Sequence, residues 1–373
     1  MPGLKKTIAV LPGDGIGPEI MRAAIALLSD CAATFGHQFE FREFPFGGTA
    51  IDRTGNPLPN ETLAGCKSAD AVLLAAIGGP QWDKLPLEKR PEAGLLRLRK
   101  ELGLYINLRP VRPRPSLRNI SPLKPERLSQ TDIEIVRELA GDIYFGKHEK
   151  GGEGANAWAR DVAEYSAAEV DRVARYAFER AESRKGKLTS VDKANVLSTS
   201  TLWRQTVTAL GKKYPTIELE HMYVDNASMQ ILLKPDQFDV ILTGNMFGDI
   251  LSDEASALAG SIGLIPSMSR GKEGTPALYE PIHGSAPSLA GKDVACPIGM
   301  ISSASLMLRE SFGLETEAQW IEAGVDRVLD HGYRTMDISS PDSRVVRCSE
   351  FLEMVRGDVH DAATHTERYG WGV

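Results

Sequence analysis

At 373 residues the chain can form two domain-sized units with a large core, on a scale of roughly 100–200 residues per domain. A formal charge of −7, with Lys and Arg spread along the chain, argues against nucleic acid or an anionic membrane as the main partner. No apolar run reaches the ~18 residues of a membrane span, and Pro12-Gly13-Asp14-Gly15 interrupts the N-terminal segment before it could serve as a secretory signal, so a cytoplasmic protein is expected. In chain order, Thr7–Leu11 reads as a short strand, 12–18 as a Gly-rich turn and Glu19–Leu28 as an amphipathic helix. The turn, Gly13-Asp14-Gly15-Ile16-Gly17, looks superficially like a dinucleotide fingerprint. Its third glycine comes one residue early, and no acidic residue ends a second strand about twenty residues on. The glycines are therefore expected to serve a tight turn with close backbone approach.

Ala71–Ile77 is the next strand-like run, and a helix follows through Ala93–Leu102. Glu92, Leu95, Leu96 and Arg99 fall at i, i+3, i+4 and i+7, on one helical face. Such a stripe either faces the core with snorkelling ends or serves a ligand that carries a branched alkyl group and a carboxylate. Arg109 and Arg137 each come just after a strand-like run. Guanidinium forks bind carboxylates bidentately, so these two with Arg99 would suit a dicarboxylate if they converge. Ile133–Val136, Leu188–Val191, Leu219–Val224 and Val240–Thr243 are further strand-like runs, alternating with helices such as Ala167–Arg184 and Leu202–Leu210. Residues 147–154 read as an exposed, mobile loop. The alternation predicts an α/β fold with a largely parallel sheet covered by helices. Cys31, Cys66, Cys296 and Cys348 lie far apart without CxxC spacing, which predicts buried thiols and points to neither zinc nor a disulfide framework.

After the run Phe238–Leu242 comes Asn245-Met246-Phe247-Gly248-Asp249-Ile250-Leu251-Ser252-Asp253. A helix starting near Gly248 would stack Asp249 and Asp253 one turn apart, where they could hold a divalent cation. The alternative is two N-terminal acids favoured by the helix dipole.

Leu11–Glu19, Gly78–Asp83, Leu95–Lys100, Val136–Leu139, Ile143–Gly146, Val191–Leu197, Tyr223–Asp225, Asn245–Asp253 and Glu280–Pro287 together resemble the isocitrate/isopropylmalate dehydrogenase family, in its order from residue 11 to residue 287. The resemblance implies two α/β domains with an active-site cleft between them: 1–104 with 260–373 on the cofactor side, and 105–259 carrying the metal and dimer contacts. It implies a homodimer with shared active sites, NAD as cofactor, Mg²⁺ or Mn²⁺, and no nucleic-acid or membrane partner. Arg99, Arg109 and Arg137 would clamp the malate carboxylates. Asp249 and Asp253, with Asp225 of the partner subunit, would hold the metal, and Asp225 would also border the substrate. Lys193 of the partner subunit would take the C2 hydroxyl proton, a role in which metal proximity and burial must favour the neutral amine. Tyr144 would reprotonate the enol carbon after loss of CO₂. Gly78, Gly79, Pro80, Asn195, Glu280, His283, Gly284, Ser285, Ala286, Ser288 and Cys296 would line the cofactor site.

The substrate branch rests on Glu92, Leu95, Leu96 and Val196. Burying a third carboxylate against two leucines costs several kcal/mol, whereas an isopropyl group gains roughly 25 cal/mol per Å². A 3-alkylmalate of the isopropylmalate type is expected over isocitrate; tartrate or D-malate, or a regulatory homologue that binds cofactor poorly, is the alternative. Four positions depart from the family pattern. Ser288 replaces the ribose-binding Asp, Cys296 the Asn near the adenine, Asp142 the second Gly before Ile143, and Ser198 the common Glu. Asp293 could take over the ribose contact.

Overall fold

The structure is a computed structural model that describes residues 3–369, with 360–369 by backbone alone. The chain ends expected in the first domain, 1–2 and 370–373, lie outside the described residues. The strands are β1 (Lys5–Gly13), β2 (Gln38–Glu43), β3 (Ala71–Ala76), β4 (Ile106–Val111), β5 (Ile133–Glu138), β6 (His148–Gly151), β7 (Trp158–Asp161), β8 (Lys187–Asp192), β9 (Glu218–Tyr223), β10 (Val240–Thr243), β11 (Pro266–Arg270) and β12 (Ala277–Pro281). The helices are α1 (Gly17–Phe35), α2 (Gly48–Thr54), α3 (Asn60–Ser68), α4 (Pro91–Glu101), α5 (Ala167–Glu182), α6 (Ser198–Gly211), α7 (Val224–Leu233), α8 (Asn245–Ala259), α9 (Ile298–Phe312), α10 (Glu315–Asp330) and α11 (Cys348–Tyr369). Among the described residues no helix is long and apolar enough to cross a membrane.

The chain divides into two compact units. The first comprises Met1–Gly103, Arg114–Pro122 and Ala259–Val373. Its strands run in the order β2-β1-β3-β12-β11, parallel except for the β11–β12 pair. β3 is buried at every residue, as an all-apolar run covered on both faces must be. α9 is buried through Ile298–Leu308 and packs between β11–β12 and the helices α1 and α10. Residues 114–122 join this unit although they fall inside the 105–259 stretch expected of the second domain. Leu117 is buried, Arg114 pairs with Asp326, and Arg334 donates to the Ser116 carbonyl at 2.8 Å.

The second unit comprises Leu104–Pro113 and Leu123–Leu258, with strand order β4-β5-β10-β8-β9. Here β4–β5 is antiparallel and the other pairs are parallel. The mixed, largely parallel architecture is the one expected. α5 starts at a capping box of Ser166 and Glu169 and buries Val170, Val173, Ala174, Ala177, Phe178 and Ala181, a stripe at helical spacing.

Three local expectations are corrected. The 147–154 stretch is exposed as expected but is not all loop: within it β6 pairs with β7, His148 opposite Asp161 and Gly151 opposite Trp158, and the cross-strand pair Glu149–Arg160 adds to it. α1 runs past Leu28 because Cys31 and Ala32 continue its buried stripe, and it ends where Gly36 takes a left-handed φ of 75°. α8 starts at Asn245, three residues before Gly248. Its first amides are satisfied from outside, Asn245 N–H by the Tyr165 hydroxyl (2.9 Å) and Met246 N–H by Asp142 Oδ2 (3.1 Å).

Candidate active site

In the first unit α4 turns Pro91, Gly94 and Leu98 to the core. That burial overturns the core-stripe reading of Glu92, Leu95, Leu96 and Arg99. Leu95 and Leu96 are half-buried and Glu92 is exposed, so an apolar step remains on the helix next to Arg99. The Arg99 guanidinium is mostly buried and bonds Glu280 Oε1 through Nη2 at 2.7 Å. Its Nε is buried with no partner, a donor that an anionic ligand would satisfy. Glu280, expected at the cofactor, is thus engaged on β12 by an arginine expected at the substrate.

Beyond β3, Gly78 has φ 95°, a conformation in which any side chain would be strained, so glycine is favoured there. Gly79 and Pro80 continue this loop into a short 3₁₀ turn. Beyond β12, His283 Nδ1 donates to the Gly284 carbonyl at 2.8 Å, and burial holds the imidazole below its ordinary pKa. The ring is therefore neutral at neutral pH, which leaves Nε2, buried and unpartnered, as an acceptor for a ligand hydroxyl or amide. Ser285 Oγ bonds the Gly78 carbonyl at 2.7 Å, Ala286 has a left-handed φ of 38°, and Ser288 is exposed. Cys296 is buried, which pushes its thiol pKa up. Asp293 is already committed: its carboxylate accepts from the Ser349 amide (2.9 Å) and hydroxyl, and its carbonyl from the Cys348 amide (3.0 Å). These bonds tie Asp293 to the start of α11.

In the second unit Arg109 and Arg137 lie within strands, β4 and β5, and not after them as expected. Asn107 stands directly opposite Arg137 in the ladder, so all three side chains share one face. Arg109 donates from Nε to Asn107 Oδ1 (2.8 Å), from Nη1 to Ser252 Oγ (2.7 Å) and Asp253 (3.0 Å), and from Nη2 to Asp249 (3.3 Å). Arg137 bonds Asn245 Oδ1 through Nε and Nη2 (2.9 and 2.7 Å) and also pairs with Asp249. Both guanidiniums are nearly buried. Gly248 explains the close approach, because a Cβ there would sit 2.7 Å from Arg137 Cβ.

Asn245, Asp249, Ser252 and Asp253 fall at i, i+4, i+7 and i+8, one face of α8. With α8 starting at Asn245, neither aspartate is in the first turn, which overturns the helix-dipole alternative. Asp249 also accepts from the Tyr144 hydroxyl at 2.7 Å. Burial, aided by Asp249, raises the Tyr144 phenol above its ordinary pKa, so it holds its proton through neutral pH. Partial burial likewise raises the Asp253 carboxyl, with Arg109 pulling the other way. Asn107, Asn245 and Ser252 were not singled out from sequence. Their signal was present in the i, i+2 step to Arg109 and in the spacing along α8.

Lys193, just after β8, pairs with Asp225 in the first turn of α7. The ammonium holds the exposed Asp225 carboxyl below the usual carboxylate range. Asn195 is exposed beside them, and Val196 is 70% exposed. Among the described residues no three acidic, His or Cys side chains gather as a metal site. The donors that do stand together, Asp249 and Asp253, are hard oxygen ligands suited to Mg²⁺ or Mn²⁺. Their two charges are balanced by two guanidiniums, so a dicarboxylate could enter in charge balance only together with a divalent cation.

The family model for isocitrate/isopropylmalate dehydrogenase matches residues 7–355. A 3-isopropylmalate dehydrogenase of Bacillus licheniformis is 54% identical over 338 residues, covering 90% of this chain and 91% of that one. Another from Gloeobacter violaceus is 53% identical over 360 residues, covering 95% and 98%. A crystal structure of isocitrate dehydrogenase from Methylococcus capsulatus superposes with a TM-score of 0.84 at 31% identity, covering 95% of this chain and 99% of that one. A match that runs from β1 into α11, with relatives identical at more than half of their aligned positions, leaves one conclusion: this chain belongs to the isocitrate/isopropylmalate dehydrogenase family.

Proposed function

We propose that the chain oxidatively decarboxylates 3-isopropylmalate to 4-methyl-2-oxopentanoate, the keto acid one transamination from leucine, using NAD and Mg²⁺ or Mn²⁺. The observation that carries this reading is α4, which keeps Leu95 and Leu96 off the core and half-exposed beside Arg99. A branched alkyl group gains by covering that step, whereas the third carboxylate of isocitrate would meet two leucines. The names of the relatives at more than half identity support the same substrate.

When bound, the divalent ion supplies a Lewis acid at the C2 oxygen and NAD the hydride acceptor. Asp249 and Asp253 are the ligands that this chain offers the ion, and Asp225 of a second copy completes the set. Gly78, with no side chain to block approach, and the free acceptor of His283 suit the dinucleotide. Arg99, Arg109 and Arg137 orient the substrate carboxylates, which separates C2 chemistry from C3 chemistry in space. Lys193 of a second copy accepts the C2 hydroxyl proton as the neutral amine, a form favoured once Asp225 turns from its ammonium to the ion. Tyr144, held protonated, returns a proton to C3 once CO₂ has left. Met229 and Leu233 on α7 and Ile250 on α8 are each at least half exposed, apolar surface that a second copy would bury.

Leu96→Asn tests the pocket. Its kcat/KM for isopropylmalate should fall about tenfold or more, the cost of unmatched polar surface against a methyl group, while D-malate, which has no alkyl group, changes much less. An unchanged ratio between the two substrates would remove α4 from the substrate site.

A further inference from the structure

We infer that Asp14 is a positioning residue for the cofactor loops, acting through Gly78 and Ser285; the inference rests on the NAD reading given above. Asp14 sits in the Gly13–Gly17 turn, whose spacing departs from a phosphate-binding fingerprint. Its side chain points inward and the residue is 3% exposed. Oδ2 accepts from the Gly48 and Gly78 amides, both at 2.8 Å, and Oδ1 from the Thr49 amide (2.7 Å) and hydroxyl (2.8 Å). One carboxylate thus ties the turn after β1 to the start of α2 and to the loop after β3.

The chain continues the connection to the loop after β12. Gly78, held by its amide, accepts at its carbonyl from Ser285 Oγ, and the Ser285 carbonyl accepts from the Ile16 amide at 2.8 Å. The circuit returns to the residue two places after Asp14. The glycines are what this convergence demands. A Cβ at Gly13 would lie 1.9 Å from the Ala76 carbonyl, at Gly15 2.0 Å from the Ser285 carbonyl, and at Gly47 2.6 Å from Asp14 Oδ2. The turn that resembles a phosphate cradle closes instead around an anion of its own chain.

Only an acceptor on both oxygens satisfies these four donors. An amide at position 14 sets its NH₂ against the Gly48 and Gly78 amides in one orientation and against the Thr49 amide in the other, where the Thr49 hydroxyl can turn to the Gly13 carbonyl, 3.0 Å away, and accept. Asp14→Asn must therefore push away either the Gly48 and Gly78 amides or the Thr49 amide. The lost contacts hold backbone and touch no reacting atom, so ground-state binding of the cofactor suffers and the chemical step does not.

The test is NAD affinity by calorimetry, with kcat, both KM values and Tm, for wild type, Asp14→Asn, Ser285→Ala and the double variant. Asp14→Asn should raise the NAD Kd and KM about tenfold, the loss expected for charge-assisted hydrogen bonds, with kcat within about twofold of wild type. Ser285→Ala should raise the NAD Kd by a smaller factor, and the double variant should fall short of the product of the two, because both act through Gly78. A folded Asp14→Asn that binds NAD as wild type does, or a double variant that is fully multiplicative, overturns the inference. Should Asp14→Asn fail to fold, Ser285→Ala still decides, since an unchanged NAD Kd there breaks the circuit. A wild type that binds NAD but does not turn over isopropylmalate refutes the substrate reading alone, as calorimetry needs no turnover.

Discussion

At the scale of single residues, Arg109 donates to Asp253 and Asp249 and Arg137 pairs with Asp249, so each proposed ligand carboxylate is held by a guanidinium; such proposed groups were legible in the sequence where their spacing is helical. Asp249 and Asp253, and the stripe from Glu92 to Arg99, occupy the faces expected of them. The partners that orient them were not, because Asn107, Asn245 and Ser252 matter only once two strands and a helix share a face. Position 288 shows the reverse case. An aspartate there would accept hydrogen bonds from ribose hydroxyls and repel a 2′-phosphate, whereas Ser288 carries no charge, and Asp293 is tied to Ser349. A hydrogen bond to a charged group contributes about 1.5–3 kcal/mol against ~1 for a neutral one. Discrimination between NAD and NADP should therefore be modest, and Ser288→Asp should increase the ratio of their kcat/KM values. If that ratio does not move, position 288 does not face the ribose.

At the scale of elements, strands buried on both faces announced themselves where no charge interrupts them, as in β3 and β10, while β5 and β8 were read only over Ile133–Val136 and Leu188–Val191 because charged residues occupy their ends. β4 was read short because Arg109 and Pro110 interrupt its pattern, although its ladder with β5 runs unbroken from Ile106 to Val111. The β6–β7 hairpin has almost no apolar residues, so only its pairing reveals it. The start of α8 was hidden for a different reason. Asp142 stands where the family resemblance implies glycine, in a left-handed conformation with φ 69°, and its carboxylate caps Met246 N–H from a distance in sequence. The cap offsets the backbone cost that aspartate tolerates better than most residues. Asp142→Ala should lose about 1–2 kcal/mol in urea unfolding, since it keeps the strained φ and loses the cap, and Asp142→Gly should lose less. Equal stability of Asp142→Ala and the parent would show that the cap contributes nothing.

At the scale of the whole molecule, the residues proposed to act together are drawn from both units. The α4 step and Arg99 belong to the first unit, Arg109, Arg137, Tyr144 and the two aspartates to the second, and Lys193 of a second copy is the proposed base. The proposed sharing between copies has a direct consequence. Lys193→Met and Asp249→Asn should each be inactive, yet co-refolded together they should recover about a quarter of parental activity, because half the dimers are mixed and each mixed dimer keeps one intact site. No recovery would place Lys193 and Asp249 of the same chain in one site. The central claim, that this is an isopropylmalate-oxidising decarboxylase, meets its most direct test in kcat/KM for isopropylmalate, isocitrate, tartrate and D-malate, measured by NADH formation with Mg²⁺ present. The account predicts isopropylmalate first, by about a hundredfold or more over isocitrate, since the latter must bury a carboxylate against Leu95 and Leu96; isocitrate turned over as well as isopropylmalate, or no NADH from isopropylmalate, would contradict it.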